Sequence, residues 1–289
     1  MPEKYGKHIE IIAEIGINHQ GNLNTALEMI EVAAGCGVDL VKFQKRHWQS
    51  YREDPRWSNT FQQEMSIREH RKRLEFDEAG YIAIGDKTCE MERKTLLKGW
   101  FASVYDFESL AFLAFAVNAC GSVTRWKIAS AVAATNLPLA VAIAEQPGRC
   151  YLSLGMMDWE RVDEVVEVCA KVNDDLVLMH CAGEYPCPDE RVNLHMIPVL
   201  QLRYGLPVGY SGHDKGVPAS VAAVALGAVA VEKHFTLDRS LPGSDHAASL
   251  EPAGLETLVR HIRSLEVMLG DGQRTVSEEE QQKLRRLLK

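Results

Sequence analysis

The chain has 289 residues, of which 46% are hydrophobic and 25% charged, as is typical of a globular protein with one large domain or two small ones. Its net charge of −8, without a long basic run, argues against a nucleic-acid-binding protein. We expect neither a membrane span of ~18–20 apolar residues nor a signal peptide, and the seven scattered cysteines do not suggest a disulfide framework, so we expect a cytoplasmic protein.

Short apolar segments alternate with helix-like segments along the whole chain. The first strand is predicted at 9–15, and the near-continuous apolar run there is typical of a parallel sheet buried on both faces. Further strands are predicted at 39–44, 100–104, 125–130, 150–154, 176–180, 207–210 and 228–233. Apolar residues at helical spacing predict helices at 22–35, 76–94, 107–120, 136–145, 159–172, a segment ending near 203, 217–227 and 255–269.

Eight even β/α units predict one (β/α)8 TIM barrel within residues 1–270. The alternative, a doubly wound sheet, needs a switch point that this even rhythm does not suggest. Segment 44–73 interrupts the rhythm, and so long a β2α2 insertion is typical of a functional loop. Its candidate covering residues are Trp48, Tyr51, Arg52 and Trp57. Residues 271–289 predict a charged helical tail and are too few for a second domain.

Polar residues occur within or at the end of several predicted strands, at the end of a barrel where active sites are built. Glu14 interrupts an apolar strand, where a carboxylate is costly unless it is paired or ligand-bound. Lys42 and Gln44 share one face of the second strand, and Lys127 lies in the fourth. Two inward lysines favour an anionic substrate, although either amine could instead reach outward to solvent. Hydroxyls suited to anion binding follow at Ser103, Ser130, Ser153 and Ser211.

Two histidines, His213 and His234, lie at the ends of the seventh and eighth strands. Both could bind a divalent metal as neutral imidazoles, or both could be hydrogen-bonded core residues. Glu232 shares a strand face with His234 and could be a co-ligand or orient the site from behind. Asp245 follows on the same side of the barrel. The cysteines are interpreted as inert buried residues.

An ordered set of motifs makes the chain recognisable. These are AEIGINHQG at 13–21, VKFQ at 41–44, KIAS at 127–130, HC at 180–181, YPCP at 185–188, GYSGH at 209–213, VEKHFTLD at 231–238, PGSDH at 242–246 and ASLEP at 248–252. Together they resemble the N-acetylneuraminate (sialic acid) synthase family, over about residues 9–270.

The resemblance implies a transferase of carbohydrate biosynthesis that condenses phosphoenolpyruvate (PEP) with a sugar aldehyde, N-acetylmannosamine or a related aldose. The products would be a 2-keto-3-deoxy sugar acid and phosphate. It also implies a homodimer and a divalent metal, Mn²⁺ first and Mg²⁺ or Co²⁺ as alternatives, held by His213 and His234. By motif match, the expected catalytic residues are Glu14, Lys42, Lys127, His234 and Asp245. The expected substrate-binding residues are Gln44, Ser103, Ser130, Ser153, Tyr185 and Ser211.

The sequence also departs from the family pattern, mainly where the acceptor sugar would bind. The strand-four motif reads KIASAV and lacks the usual glutamate, and the third strand ends in ASVYD rather than STPFD. Gly183 stands where an asparagine is usual, and Gly212 where an aspartate is usual. The family's C-terminal antifreeze-like domain is expected to be absent. The reaction class is therefore predicted, while the acceptor, the physiological metal and any second chain that completes the site stay open.

Two other functions compete with the synthase. A Schiff-base aldolase or lyase on the same barrel would use Lys127 as its nucleophile. A barrel that binds a sugar acid or phosphate without catalysis would explain the missing acceptor residues. The synthase is preferred because a binding module has no need of two metal-binding histidines together with two inward lysines.

Overall fold

Eight parallel strands close into a barrel, and their order around the ring is their order along the chain. The computed structural model describes residues 8–51, 66–115, 123 and 125–288. The strands are β1 (Glu10–Gly16), β2 (Leu40–Lys45), β3 (Trp100–Val104), β4 (Arg125–Ile128), β5 (Arg149–Ser153), β6 (Leu176–His180), β7 (Val208–Gly212) and β8 (Ala230–His234). The predicted single-domain (β/α)8 barrel is confirmed.

Helices follow the strands and pack outside the barrel, burying their apolar faces against it. They are α1 (Leu23–Gly35), α2 (Ile67–Leu74), α3 (Glu78–Glu92), α4 (Phe107–Phe115), α5 (Ser130–Thr135), α6 (Leu137–Ala144), α7 (Trp159–Val172), α8 (Met196–Tyr204), α9 (Pro218–Ala225), α10 (Pro252–Met268) and α11 (Glu278–Leu287). No helix in the described ranges is long and apolar enough to cross a membrane.

Local sequence signals set many helix starts. Asn22 accepts a hydrogen bond from the backbone N–H of Thr25 at the start of α1, and Asp158 caps α7 through Arg161 in the same way. Pro218 begins α9, where a missing N–H costs nothing. Such short-range signals explain why the helix pattern was readable from the sequence.

The observed boundaries refine the prediction in three places. The helix predicted at 136–145 is preceded by a separate short helix, α5, because Asn136 ends α5 and then caps α6. Within the predicted insertion 44–73, a 3₁₀ turn at Trp48–Ser50 and helix α2 lie at the two ends. Arg52 and Trp57 lie outside the described residues, so their covering role stays a prediction. The tail contains α11, which is exposed along its whole length.

An ionic cluster closes the amino-terminal end of the barrel interior. The buried Glu10 carboxylate accepts hydrogen bonds from the Tyr151 hydroxyl at 2.6 Å and from the Arg149 guanidinium at 2.5 Å, and Arg125 lies 3.3 Å away. Burial alone would raise the pKa of Glu10, but the Tyr151 hydrogen bond and the two arginines outweigh it and lower that pKa below its usual 4.5. The charge is therefore stable only while its partners surround it.

We predict that Glu10→Gln destabilises the protein by about 1–3 kcal/mol at pH 7, because it weakens hydrogen bonds to charged groups. Since the folded-state pKa of Glu10 is lowered, its stabilisation is present above about pH 4.5 and is lost as the pH falls towards that folded pKa. Urea unfolding at pH 7 and pH 4 measures both effects. The exposed Glu167→Gln is the control and should leave the midpoint unchanged. A Glu10→Gln deficit of constant size at both pH values would contradict the prediction.

Candidate active site

One cavity opens at the carboxyl-terminal end of the barrel and encloses about 490 Å³, including its solvent-open part. Its walls combine side chains from every strand or from the loop after it. The lining residues are Glu14, Lys42, Gln44, Ser103, Tyr105, Lys127, Ala129, Ser130, Ala131, Ser153, Met156, Cys181, Tyr185, Ser211, His213, Glu232 and His234. All the predicted site residues except Asp245 therefore line one cavity.

Two lysines and two glutamates form a buried ionic chain across the cavity floor. The Lys42 ammonium lies 2.8 Å from Glu14 Oε2 and 3.5 Å from Glu232 Oε1. Lys127 donates to Glu232 Oε2 at 2.8 Å. The four side chains come from β1, β2, β4 and β8, so only barrel closure brings them together. Their formal charges cancel.

Within this ionic chain, the pKa values of Glu14 and Glu232 are shifted in opposite directions. Burial alone would raise the pKa of Glu232, but Lys127 and Lys42 on either side hold it well below the usual value. For Glu14, burial dominates and raises the pKa despite Lys42, because the charge of Glu232 also acts in the raising direction. Two carboxyls with pKa values pushed apart are a common acid–base arrangement. Glu232 is thus the permanent anion and Glu14 the carboxyl that can exchange a proton.

Hydroxyl groups complete the floor. The Ser103 hydroxyl accepts a hydrogen bond from Lys42 at 2.8 Å, and the Ser211 hydroxyl donates to Glu232 Oε1 at 3.0 Å. Ser130 accepts from the backbone N–H of Gly155 at 3.1 Å. Ser153 is buried in the same lining. These hydroxyls fix the directions of the ionic groups and keep further hydrogen-bonding capacity for a polar ligand.

An aromatic group of three rings forms one wall. The Tyr185 ring stacks on His213 at 3.8 Å between centroids and meets His234 edge-on at 5.5 Å. The His213 and His234 centroids are 5.6 Å apart. His213 Nδ1 donates to the Ala182 carbonyl at 2.5 Å, which assigns the proton to Nδ1 and leaves the Nε2 lone pair available. Burial and the neighbouring His234 lower the pKa of His213 to about 3, so the ring is neutral near pH 7.

These imidazoles fit a divalent metal with an open coordination sphere. Two rings ligating one ion have centroids up to roughly 6.4 Å apart, from a metal–nitrogen distance of ~2.1 Å and a ring radius of ~1.1 Å. His234 Nδ1 is buried without a hydrogen-bond partner in the described part of the chain, and Asp245 Oδ2 is 3.8 Å from it. No group of three or more His, Cys, Asp or Glu side chains arranged for a metal occurs within the described ranges. The protein therefore offers two nitrogen donors and leaves other positions to ligand or water oxygens.

The loop that carries His213 is anchored by a buried lysine that the sequence reasoning did not identify. Lys233 points away from the cavity, is fully buried and pairs with Asp214 at 2.9 Å. Asp214 also accepts from the Tyr210 hydroxyl at 2.7 Å. Because Asp214 follows His213 directly, the contacts of Asp214 with Lys233 and Tyr210 fix the backbone at His213. The only sequence signal was a lysine inside an apolar strand.

The structure changes the interpretation of several predicted residues. The inward lysines are confirmed as inward, but Glu14 and Glu232 already neutralise them, so the lysines alone do not require an anionic ligand. Glu232 gives its oxygens to Lys127 and Ser211, so it orients the lysines. Asp245 lies beside His234 rather than in the lining.

Three lining residues were missed or undervalued. Tyr105 lies directly after β3 and lines the cavity. The presence of an aromatic residue at a strand end could have indicated it from the sequence. Cys181, interpreted as inert, has its Sγ 3.1 Å from Ser130 Oγ. Met156 also lines the cavity, and its side chain fills the space beside Gly183, where an added Cβ would lie 2.7 Å from Met156 Cγ. The sequence departure at Gly183 thus coincides with a thioether at the cavity wall.

Comparisons with known proteins agree with this geometry. A sequence model of the NeuB family matches residues 29–274. The chain is similar to the N,N'-diacetyllegionaminic acid synthase of Campylobacter jejuni, with 36% identity over 95% of this chain and 81% of the relative. It is also similar to the human N-acetylneuraminate-9-phosphate synthase, with 36% identity over 90% of this chain and 71% of the relative.

A solved structure shows the same likeness in three dimensions. The N-acetylneuraminic acid (sialic acid) synthetase of Leptospira borgpetersenii, crystallised with citrate, superposes with a TM-score of 0.81 at 30% identity. The match covers 97% of this chain and 92% of that one. It therefore extends over nearly all of both chains.

We predict that Glu232→Gln lowers stability by roughly 3 kcal/mol, because it leaves two buried lysines without their shared counter-charge. Chemical denaturation at pH 7 measures the loss. The surface change Glu164→Gln removes an exposed ion pair and serves as the control, with no resolvable effect. Equal midpoints for Glu232→Gln and the unmodified protein would show that the ionic chain is not needed to neutralise the lysines.

Proposed function

This chain belongs to the NeuB family and is a carbon–carbon bond-forming synthase of the sialic acid synthase type, and from that premise we propose that it condenses PEP with an amino-sugar aldehyde. The products are a 2-keto-3-deoxy sugar acid and inorganic phosphate. The observation that carries the proposal is the cavity floor, where two buried lysines and several hydroxyls lie beside two imidazoles. The lysines and hydroxyls could bind an anion, Glu14 could transfer a proton, and the histidines could hold a metal that polarises a carbonyl oxygen.

The PEP site is assigned to Lys127 and the surrounding serines. An ammonium has three N–H donors, and Lys127 uses one on Glu232, with no other acceptor bonded to it in the described part of the structure. Two donors therefore remain for the carboxylate or phosphate of PEP. The Lys42 ammonium already contacts Glu14, Glu232 and Ser103. It therefore contributes a fixed positive charge to the site rather than free hydrogen-bond donors. Such preorganised charge stabilises developing charge without reorganisation.

Glu14 is assigned as the proton carrier. In the proposed reaction, C3 of PEP forms a bond to the aldehyde carbon, and the aldehyde oxygen takes a proton and becomes a hydroxyl. Water then adds at C2, and phosphate leaves as the C2 oxygen becomes a ketone. The raised pKa of Glu14 allows it to hold the proton that the aldehyde oxygen requires. Gln44, which donates to Glu14 Oε1 at 3.0 Å, fixes the direction of the carboxyl group.

His213 and His234 would hold the divalent metal, with Mn²⁺ as the first candidate. When bound, the ion supplies Lewis-acid polarisation of the aldehyde oxygen. The chain's own contribution is to keep His213 neutral and oriented through the Ala182 carbonyl, and to pack the Tyr185 ring against both imidazoles. Asp245 lies on the outer side of His234 and helps to orient that ring. A homodimer, which derives from the resemblance, and a cytoplasmic location, which derives from the scattered cysteines, complete the proposal.

The competing functions have less support. A Schiff-base enzyme needs a free amine, whereas Lys127 is ion-paired at 2.8 Å to a carboxylate whose pKa is held low. A non-catalytic binding barrel would not need Glu14 and Glu232 to be separated in pKa. The acceptor is less defined, because the relatives' names indicate different sugar acids. Met156 also packs against Gly183, one of the positions that depart from the family pattern.

We predict PEP-dependent phosphate release with an N-acetylated hexosamine acceptor and Mn²⁺, and a loss of at least about 100-fold in kcat/KM for Lys127→Met. The exposed Lys171→Met is the matched control and should keep full activity. Mass spectrometry after borohydride treatment with pyruvate tests the alternative, since only a Schiff-base enzyme is covalently trapped. Trapping at Lys127, or no turnover across a panel of aldoses with PEP binding retained, would contradict the synthase assignment.

We predict that the metal site can be measured without turnover. Electron paramagnetic resonance of free Mn²⁺ should show binding that His213→Gln weakens by at least about tenfold, because one of two nitrogen donors is lost. His261→Gln alters an exposed histidine on α10 and should leave Mn²⁺ affinity unchanged. Unchanged affinity in His213→Gln would remove this residue from the metal site.

A further inference from the structure

Arg46 lies one layer above the cavity floor, towards the mouth. Lys42 and Gln44 face the interior of the barrel, and Arg46 follows just beyond the end of β2. Gln44 is paired in register with Ser103, and Tyr105 follows Ser103 by two. The Arg46 guanidinium carbon is 3.6 Å from the centroid of the Tyr105 ring, which lines the cavity. Arg46 and Tyr105 therefore form the next layer outward.

One nitrogen of the Arg46 guanidinium is buried without an acceptor. The residue is only 6% exposed, and its Nη1 is buried without a hydrogen-bond partner. Within the described ranges the side chain makes no ion pair, and the nearby Glu75 carboxylate is taken by Lys45 and by the Arg46 backbone N–H. A buried cation without a hydrogen-bonding counter-ion is costly. Such a group is stabilised when a ligand brings the missing charge.

A second guanidinium, that of Arg71 on α2, lies near Arg46. The pKa of Arg71 is lowered to about 10, by burial and then by the positive charge of Arg46. Burial alone would lower the pKa of Arg46 too, but Tyr105, Tyr51, Glu75 and Asp245 outweigh it and raise that pKa. Arg46 therefore stays charged, and the two like charges repel each other. An anion bound here would relieve that repulsion.

We propose that Arg46 binds an anionic group, a phosphate ester or a carboxylate, at the end of the acceptor sugar remote from its aldehyde. The proposal rests on the proposed function, since it defines which acceptor the same cavity takes. Arg46 follows the last residue of β2 and lies four residues beyond Lys42, up to about 13 Å along an extended chain, so it is placed outward of the floor's ligand. The Tyr105 ring lies against the guanidinium, and the Nη1 group keeps an unused N–H that an oxyanion would accept.

The test compares acceptors that differ only at the far end. PEP consumption, followed by its ultraviolet absorbance, is measured with N-acetylmannosamine, its 6-phosphate and its 6-carboxylate, for the unmodified protein and Arg46→Met. We expect the unmodified protein to prefer an anionic acceptor, and the two anionic acceptors identify which oxyanion fits. Arg46→Met should raise KM for that acceptor about 10- to 100-fold, while KM for PEP and turnover of the neutral sugar change little.

Two further variants separate charge from packing. Arg46→Lys keeps the charge but loses the planar fork, so we expect an intermediate KM. Arg203→Met is the matched control, because Arg203 also stacks on an aromatic ring, Trp159 at 4.5 Å, but lies on α8 away from the cavity. It should leave every KM unchanged.

The outcomes distinguish this inference from the proposed function. If all three sugars react equally and Arg46→Met changes none of them, the anionic subsite is wrong while the synthase stands. If no sugar reacts, the proposed function fails, and calorimetric binding of the sugar 6-phosphate then decides the subsite. Binding that Arg46→Met abolishes supports the subsite, and binding that persists in Arg46→Met overturns it.

Discussion

The chain depends on neutralising charges that it buries inside its own barrel. Lys42 and Lys127 enter the interior only because Glu14 and Glu232 enter beside them, and each ammonium finds a carboxylate at 2.8 Å. Without such partners each charge would be expelled or would lose its ionisation. The same physics operates at the other end of the barrel, where Glu10 sits among two arginines and a tyrosine hydroxyl. A barrel interior can therefore hold charged groups at both ends if their charges are matched.

The two ionic groups differ in how completely they are satisfied. The Glu10 cluster sits at the closed end of the barrel, and three donors surround its carboxylate, which suits a structural role. The ionic chain at the cavity floor keeps unused hydrogen-bonding groups, namely the remaining N–H donors of Lys127 and the Glu14 carboxyl, which can hold a proton. Spare hydrogen-bonding capacity beside an open cavity is what distinguishes a chemical site from a structural ion pair. The loops above, including the His213 loop held by Lys233, keep that capacity in a fixed geometry.

Specificity belongs to a different layer from the chemistry. The floor of lysines, glutamates and serines lies within the barrel, while Tyr105, Met156 and Arg46 form the wall and mouth. Rigid strands hold the first group, and strand ends and loops carry the second, which can change without disturbing the floor. This division explains how one family includes synthases named for different sugar acids.

The sequence by itself determined the architecture and most members of the site. Eight buried strands and their intervening helices were readable because hydrophobic periodicity and capping are properties of neighbouring residues. The strand-end residues were predictable for the same reason, as were both histidines. Only the tertiary structure decided the partners, since Glu232 reaches Lys127 from 105 residues away and the unsatisfied guanidinium of Arg46 becomes visible once Tyr105 is beside it. Whether a buried charge is neutralised or left for a ligand depends on barrel closure, and no local pattern in the sequence records it.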